Sequence, residues 1–170
     1  MIIPIVDEND NFLYYKDISE RDPRTEITRS SSIWLTNEKK EVLVAKRSKH
    51  KINLPNFWGP SAAGKLENEE SYEENILKEV QEELGIKLGK VVLGPKSRAS
   101  DVHEFFNQHF FAEVSSDIKI TLQENEVAET KWITLDNLKS WYYSDPEEFL
   151  PEFGKSLKVI EDYATKDKKA

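Results

Sequence analysis

Apolar positions along this chain follow two different periods. Short apolar runs at Ile2–Val6 and Phe12–Tyr15 flank the polar stretch Asp7-Glu8-Asn9-Asp10-Asn11, which predicts a hairpin. Ser32–Leu35 and Glu41–Lys46 flank Asn37-Glu38-Lys39-Lys40 and predict a second one. Strands are also expected near Phe57–Ala63, Val91–Leu93, Glu104–Val114, Ile118–Leu122 and Val127–Ile133. At Tyr72–Leu84 the spacing changes: Ile76, Leu77, Val80 and Leu84 recur at three and four residues, as one face of a helix does. Further helices are expected near Leu135–Tyr142 and Phe153–Tyr163. Many strands, one strong central helix and helices at the end predict an α/β fold in which a mixed sheet is covered by helices. With no repeat or low-complexity linker, residues 1–164 read as one domain. The charged segment 165–170 reads as a flexible tail.

The central helix is bounded by local chemistry. In Ser71-Tyr72-Glu73-Glu74 the serine hydroxyl can accept from the N–H of Glu74, while the Glu74 carboxylate reaches back to the N–H of Ser71. Gly85 supplies the stop, because glycine tolerates the left-handed conformation. Glu79, Glu82 and Glu83 share a second face, and Lys78 is the one basic residue on the helix. Like charges at these spacings cost a helix roughly 0.2–0.5 kcal/mol per pair. Taken alone, such a run is more often a solvated face. A hard divalent cation with oxygen ligands would give the cluster a purpose.

Composition narrows the function. The 170 residues are 38% hydrophobic and 33% charged, with a net charge of −8. An acidic chain is a poor binder of duplex nucleic acid, which needs a basic footprint. Small anionic substrates remain open if metal ions offset the charge. The absence of cysteine excludes disulfides, thiolate metal sites and a cysteine nucleophile. No segment approaches the ~20 apolar residues of a membrane span. Met1–Asp10 lacks the basic start and the apolar run of ~7–15 residues of a signal peptide. The expected location is cytoplasmic.

Beyond the helix, Gly64 is followed after five residues by Glu70, and seven more lead to Lys78-Glu79-Val80-Gln81-Glu82-Glu83-Leu84-Gly85-Ile86. This resembles the Nudix box, G-x5-E-x7-R-E-U-x-E-E-x-G-U with U apolar, at every specified position except Lys78, where the family has arginine. The box covers residues 64–86. Weaker resemblance extends through Trp58-Gly59-Pro60-Ser61-Ala62-Ala63, Glu126-Val127 and Lys131-Trp132-Ile133. The resemblance implies the Nudix α/β/α sandwich with a mixed β-sheet. It implies a hydrolase that uses Mg²⁺, or Mn²⁺, to cut a nucleoside diphosphate linked to another moiety. By position, Glu79, Glu82 and Glu83 become metal ligands with help from the carbonyl of Gly64, and Glu70 orients the loop. Lysine is a compact point charge and lacks the planar fork of arginine, so Lys78 is expected to hold that loop more loosely and to slow the enzyme.

Candidate bases are Glu83, Glu124 and Glu126; Glu79, Glu82, Glu83 and Glu126 make up the catalytic set. Arg47, Trp58 and Lys65 are the candidate substrate contacts, although for Trp58 packing in the core or at its edge is favoured over stacking on a base. Lys49 and Lys51 read as solvated loop lysines, and His103 and His109 as packed or surface histidines. Upstream of the box, Ser32–Leu35, Ala45–Arg47, Pro55–Trp58 and Ser61–Gly64 resemble the branch of the family that includes isopentenyl-diphosphate isomerase. That enzyme needs a cysteine, aligned here with Ala63, and metal-binding histidines, aligned with Thr28 and Lys65; isomerisation is therefore disfavoured. A binding module that has lost catalysis is a third reading, weakened because every box glutamate is present. The expected partner is a small diphosphate, with a homodimer through the N-terminal strands and C-terminal helix as a further expectation.

Overall fold

A computed structural model describes residues 1–100 and 102–169, the last three of these by backbone alone. Ile2–Val6 (β1) and Phe12–Asp17 (β2) pair antiparallel as the first hairpin. The second apolar pair becomes Thr28–Thr36 (β3) and Glu41–Arg47 (β4), which meet only at Thr36 and Val42. Beyond that point the strands part. The inner edge of β3 is taken by Ala62–Lys65 (β6) and that of β4 by the short Trp58–Gly59 (β5), while Val127–Thr134 (β9) pairs along the outer edge of β4. Phe57–Ala63 is thus two short strands broken at Pro60-Ser61 rather than one. On its other side β3 runs parallel to Glu104–Glu113 (β8), which pairs antiparallel with Val92–Ser100 (β7). The sheet is mixed, as expected.

Its central strands are apolar on both faces because both faces are covered. Ile33, Leu35, Leu43 and Phe110 pack toward the helix Tyr72–Leu84 (α1), against Ile76, Val80 and Leu84. Trp34, Val42, Val44 and Phe111 face Leu135–Ser144 (α2) and Phe153–Lys169 (α3). Trp34 Nε1 donates to the carbonyl of Ser156 at 3.0 Å and fastens α3 to the sheet. This is the helix–sheet–helix sandwich that burial on both faces requires.

Two expectations change. Ile118–Leu122 is not a strand: Ile118, Ile120 and Leu122 pack on the α1 cluster. The N–H groups of Thr121 and Gln123 donate to the carbonyls of Leu84 and Glu83 at 2.9 and 3.1 Å. The last turn of a helix leaves its carbonyls without partners, and this segment supplies them. At the C-terminus, α3 continues to Lys169, beyond Tyr163 and into the segment expected to fray, while Ala170 lies outside the described residues. No helix of the described residues is long and apolar enough to cross a membrane.

Candidate active site

α1 has the bounds its sequence predicts. Ser71 and Glu74 form the reciprocal cap, and Gly85 sits in the left-handed region at φ 67°. The buried positions of the helix are Asn75, Ile76, Val80 and Leu84, so Asn75 replaces Leu77 in the expected stripe. That polar side chain was missed because an apolar pattern does not register it. Fully buried, it accepts a short hydrogen bond from Ser31 Oγ. Its Nδ2 lies 3.1 Å from the Lys65 carbonyl, 3.1 Å from Glu70 Oε2 and 3.4 Å from Glu79 Oε1. Asn75 therefore ties the helix to β6 and to two glutamates of the motif. Its signal lay in spacing, four residues before Glu79.

Gly64 faces α1. A Cβ built there would fall 2.1 Å from Glu79 Cδ and 2.2 Å from Oε1. The Glu79 carboxylate thus occupies the space that any other residue at 64 would fill, so the glycine is required by close approach. Glu70 accepts from the N–H of Glu67 at 2.9 Å and from Lys78 Nζ at 2.6 Å. Lys78 also stands 3.7 Å from Glu67. The lysine therefore clamps the loop through Glu70.

Glu79, Glu82, Glu83, Glu126, Gly64, Arg47 and Lys65 all line one cavity of about 630 Å³. Burial, followed by the charges of Glu82, Glu70 and Glu126, raises the Glu79 carboxyl to about 7 despite Lys78. Burial and the Glu79 charge raise Glu83 to about 8, although Lys51 and the N–H of Ala63 oppose the shift. Ionising both requires a compensating cation, and all-oxygen donors suit Mg²⁺ or Mn²⁺. Among the described residues no three such side chains already converge on one metal-sized point. The residues fit a divalent cation in charge and donor type.

The other expected contacts divide. Arg47 reaches the cavity wall, but its Nε and Nη2 donate to the carbonyls of Leu54 and Asn53 at 2.9 and 2.8 Å. It holds a loop in which Leu54 and Asn56 take φ of 50° and 65°, conformations that seldom suit non-glycine residues. Trp58, a candidate substrate contact for which core packing is the favoured reading, packs in the α2–α3 core, edge-on to Trp141 at 5.1 Å. It is placed away from the cavity lining. Lys51, expected to be solvated, reaches inward to pair with Glu126. Glu124 is exposed and outside the cavity lining.

The cavity floor is one face of the sheet, on which every second residue points the same way. Ala63, Ser32 and His109 form one cross-strand row; Lys65, Ser30, Asn107 and Ser97 form the next; Thr28, Phe105 and Ala99 follow. His109 is packed, with its ring nitrogens 3.1 Å from Ser32 Oγ and 3.1 Å from Ser97 Oγ; burial lowers it to about 4. Lys65 donates to Thr28 Oγ1 at 3.0 Å, and burial with Arg21 nearby lowers it to about 8. Arg21 and His103, which the sequence pattern did not single out as site residues, also line the cavity.

Comparison with known proteins agrees with this fold. The NUDIX domain family model matches residues 26–153. An uncharacterized Nudix hydrolase of Listeria monocytogenes is 34% identical over 125 residues, covering 71% of this chain and 70% of that protein. A prenyl-diphosphate phosphatase of Methanosarcina mazei is 29% identical over 155 residues, covering 88% and 89% respectively. The crystal structure of a Deinococcus radiodurans protein superposes with a TM-score of 0.76 at 20% identity, covering 93% of this chain and 98% of that one, a likeness of fold.

Proposed function

The chain belongs to the Nudix family, and from that premise we propose that it is a divalent-metal-dependent hydrolase that cuts a nucleoside diphosphate linked to another moiety. The observation that carries this reading is the Glu79 carboxylate seated in the space left by Gly64, beside Glu82 and Glu83 on the wall of one cavity. Mg²⁺, held by Glu79, Glu82, Glu83 and the Gly64 carbonyl, would supply Lewis-acid stabilisation of the phosphoryl oxygens and a more acidic water. Asn75 and the Glu70–Lys78 pair keep the helix and loop in register, so that the carboxylates start close to their working positions. Glu83 and Glu126 are the candidate proton acceptors. Lys51 pairs with Glu126 and orients it within the cavity.

A second substrate class has specific support. Trp58 is packed in the core and offers no stacking face to a nucleobase, and Ala99, Val102, Phe105 and Leu150 line the cavity. The Methanosarcina relative is named for prenyl diphosphates. The deciding experiment is phosphate release across nucleoside and prenyl diphosphates with Mg²⁺ or Mn²⁺, comparing wild type with Glu82→Gln and Glu83→Gln. Metal-dependent turnover lost in both variants supports hydrolysis and names the substrate. No turnover, with metal-independent nucleotide binding unaffected by either substitution, overturns it in favour of a binding module.

A further inference from the structure

The acidic wall is only one end of the cavity. Moving along β6 from Ala63 to Lys65 shifts the floor by one same-face row, about 7 Å at the usual strand rise. Lys65 then leans further the same way, because its Nζ donates to Thr28 Oγ1 at 3.0 Å, in the next row. The ammonium group therefore lies on the order of 10 Å from the Ala63 row, against which Glu83 is held.

Two more nitrogen-bearing groups line that end. Arg21 spends Nε and Nη2 on the carbonyls of Glu26 and Glu104, at 3.1 Å from the first and 2.8 Å from the second, leaving Nη1 without a partner among the described residues. His103 Nδ1 is buried with no hydrogen-bond partner. The carboxylates of Glu26, Asp22 and Glu104 lie near Arg21, and two of them are shared with other cations, Glu26 with Lys16 and Glu104 with Arg98. Among the described residues no carboxylate pairs with Lys65. In a chain of net charge −8, a half-buried lysine beside an arginine and an unpartnered histidine nitrogen is electrostatically incomplete. A buried polar nitrogen without a partner is destabilising, and an oxyanion would satisfy all three groups at once.

The geometry points to a second anion site, formed by Lys65, Arg21 and His103, that takes a phosphoryl oxyanion at the end of the cavity remote from the glutamates. This deepens the hydrolase reading, since the oxyanion is either a second phosphate carried by the substrate or the phosphate product. The site itself does not need metal, which allows the two ideas to fail separately.

The test is titration of the metal-free protein with inorganic phosphate in EDTA at fixed pH. It is followed by calorimetry and by the NMR shifts of the His103 ring. Saturable one-to-one binding that moves the His103 resonances, unchanged in Glu82→Gln, is the expected result. It should weaken at least tenfold in Lys65→Met and be retained in Lys65→Arg, which keeps the charge. His103→Gln, a surface-loop change, should weaken it by a smaller factor and guards against misfolding of the lysine variant. Absence of binding, or binding by folded Lys65→Met within twofold of wild type, overturns the site whether or not the protein hydrolyses diphosphates. Kinetics then separates the sources. A tenfold fall in kcat/KM in Lys65→Met confined to substrates with a distal phosphate assigns the site to substrate; weaker inhibition by phosphate for all substrates assigns it to product.

Discussion

The two ends of the cavity are built in opposite ways. Glu79, Glu82 and Glu83 come from a single helix, so their shared face follows from a spacing of three and four residues. Arg21, Lys65 and His103 come from a loop, a strand and another loop, and only the sheet brings them together. The acidic end is crowded with like charge and calls for a cation, whereas the basic end calls for an anion. A cavity of net-opposed ends can orient a polyanion without a large overall field.

The comparison breaks first if the acidic end is not the chemical one. Glu83→Gln keeps the volume but removes the charge, and metal-dependent turnover should fall by about 10²-fold or more. Steady-state rates, with circular dichroism to confirm folding, measure it; a loss under threefold would move the chemistry elsewhere.

The buried histidine of the floor gives the next largest effect, this time on stability. His109 is almost fully buried, and burial lowers it from 6.5 to about 4. The unfolded chain then binds the extra proton between these values. The contribution of the neutral ring is full above about pH 6.5 and is lost as pH falls toward 4, by about 3 kcal/mol. Urea unfolding at several pH values should show this loss in wild type and a flatter profile in His109→Gln.

Gly64→Ala sharpens the distinction between placing a carboxylate and possessing one. The added methyl collides with Glu79, whose flexible side chain can move aside, so the fold should survive while turnover falls about tenfold. Thermal melting beside kcat separates the two effects, and equal losses in both would argue for a purely structural glycine.

The smallest effect concerns the loop clamp. Lys78 and Glu70 remain partly exposed, so breaking their pair in Lys78→Ala should cost about 0.5–1 kcal/mol in urea unfolding. Lys78→Arg should retain that stability. A cost above about 2 kcal/mol would mean that Lys78 bears more of the loop than this contact indicates.

Local patterns explain what was legible. The first hairpin, α1 with both its caps, and the acidic face depend on neighbours within a few residues, and each appears where the sequence predicts it. The second hairpin does not stay paired, because β6 and β5, from further along the chain, take the facing edges of β3 and β4. Ile118–Leu122 alternates like a strand, yet its backbone serves the end of α1. Trp58 takes the favoured core position, whereas Lys51 leaves its expected solvated setting for the site, because burial is decided by what packs above a residue and not by its type.

The sequence by itself determined the family, the central helix and the row of glutamates, since these rest on helical spacing and on capping groups a few residues apart. Only the tertiary structure decided that Asn75 ties the motif together, that Gly64 makes room for Glu79, and that Arg21, Lys65 and His103 meet. Those relations join residues tens of positions apart through strand register and close packing, and no local period encodes them.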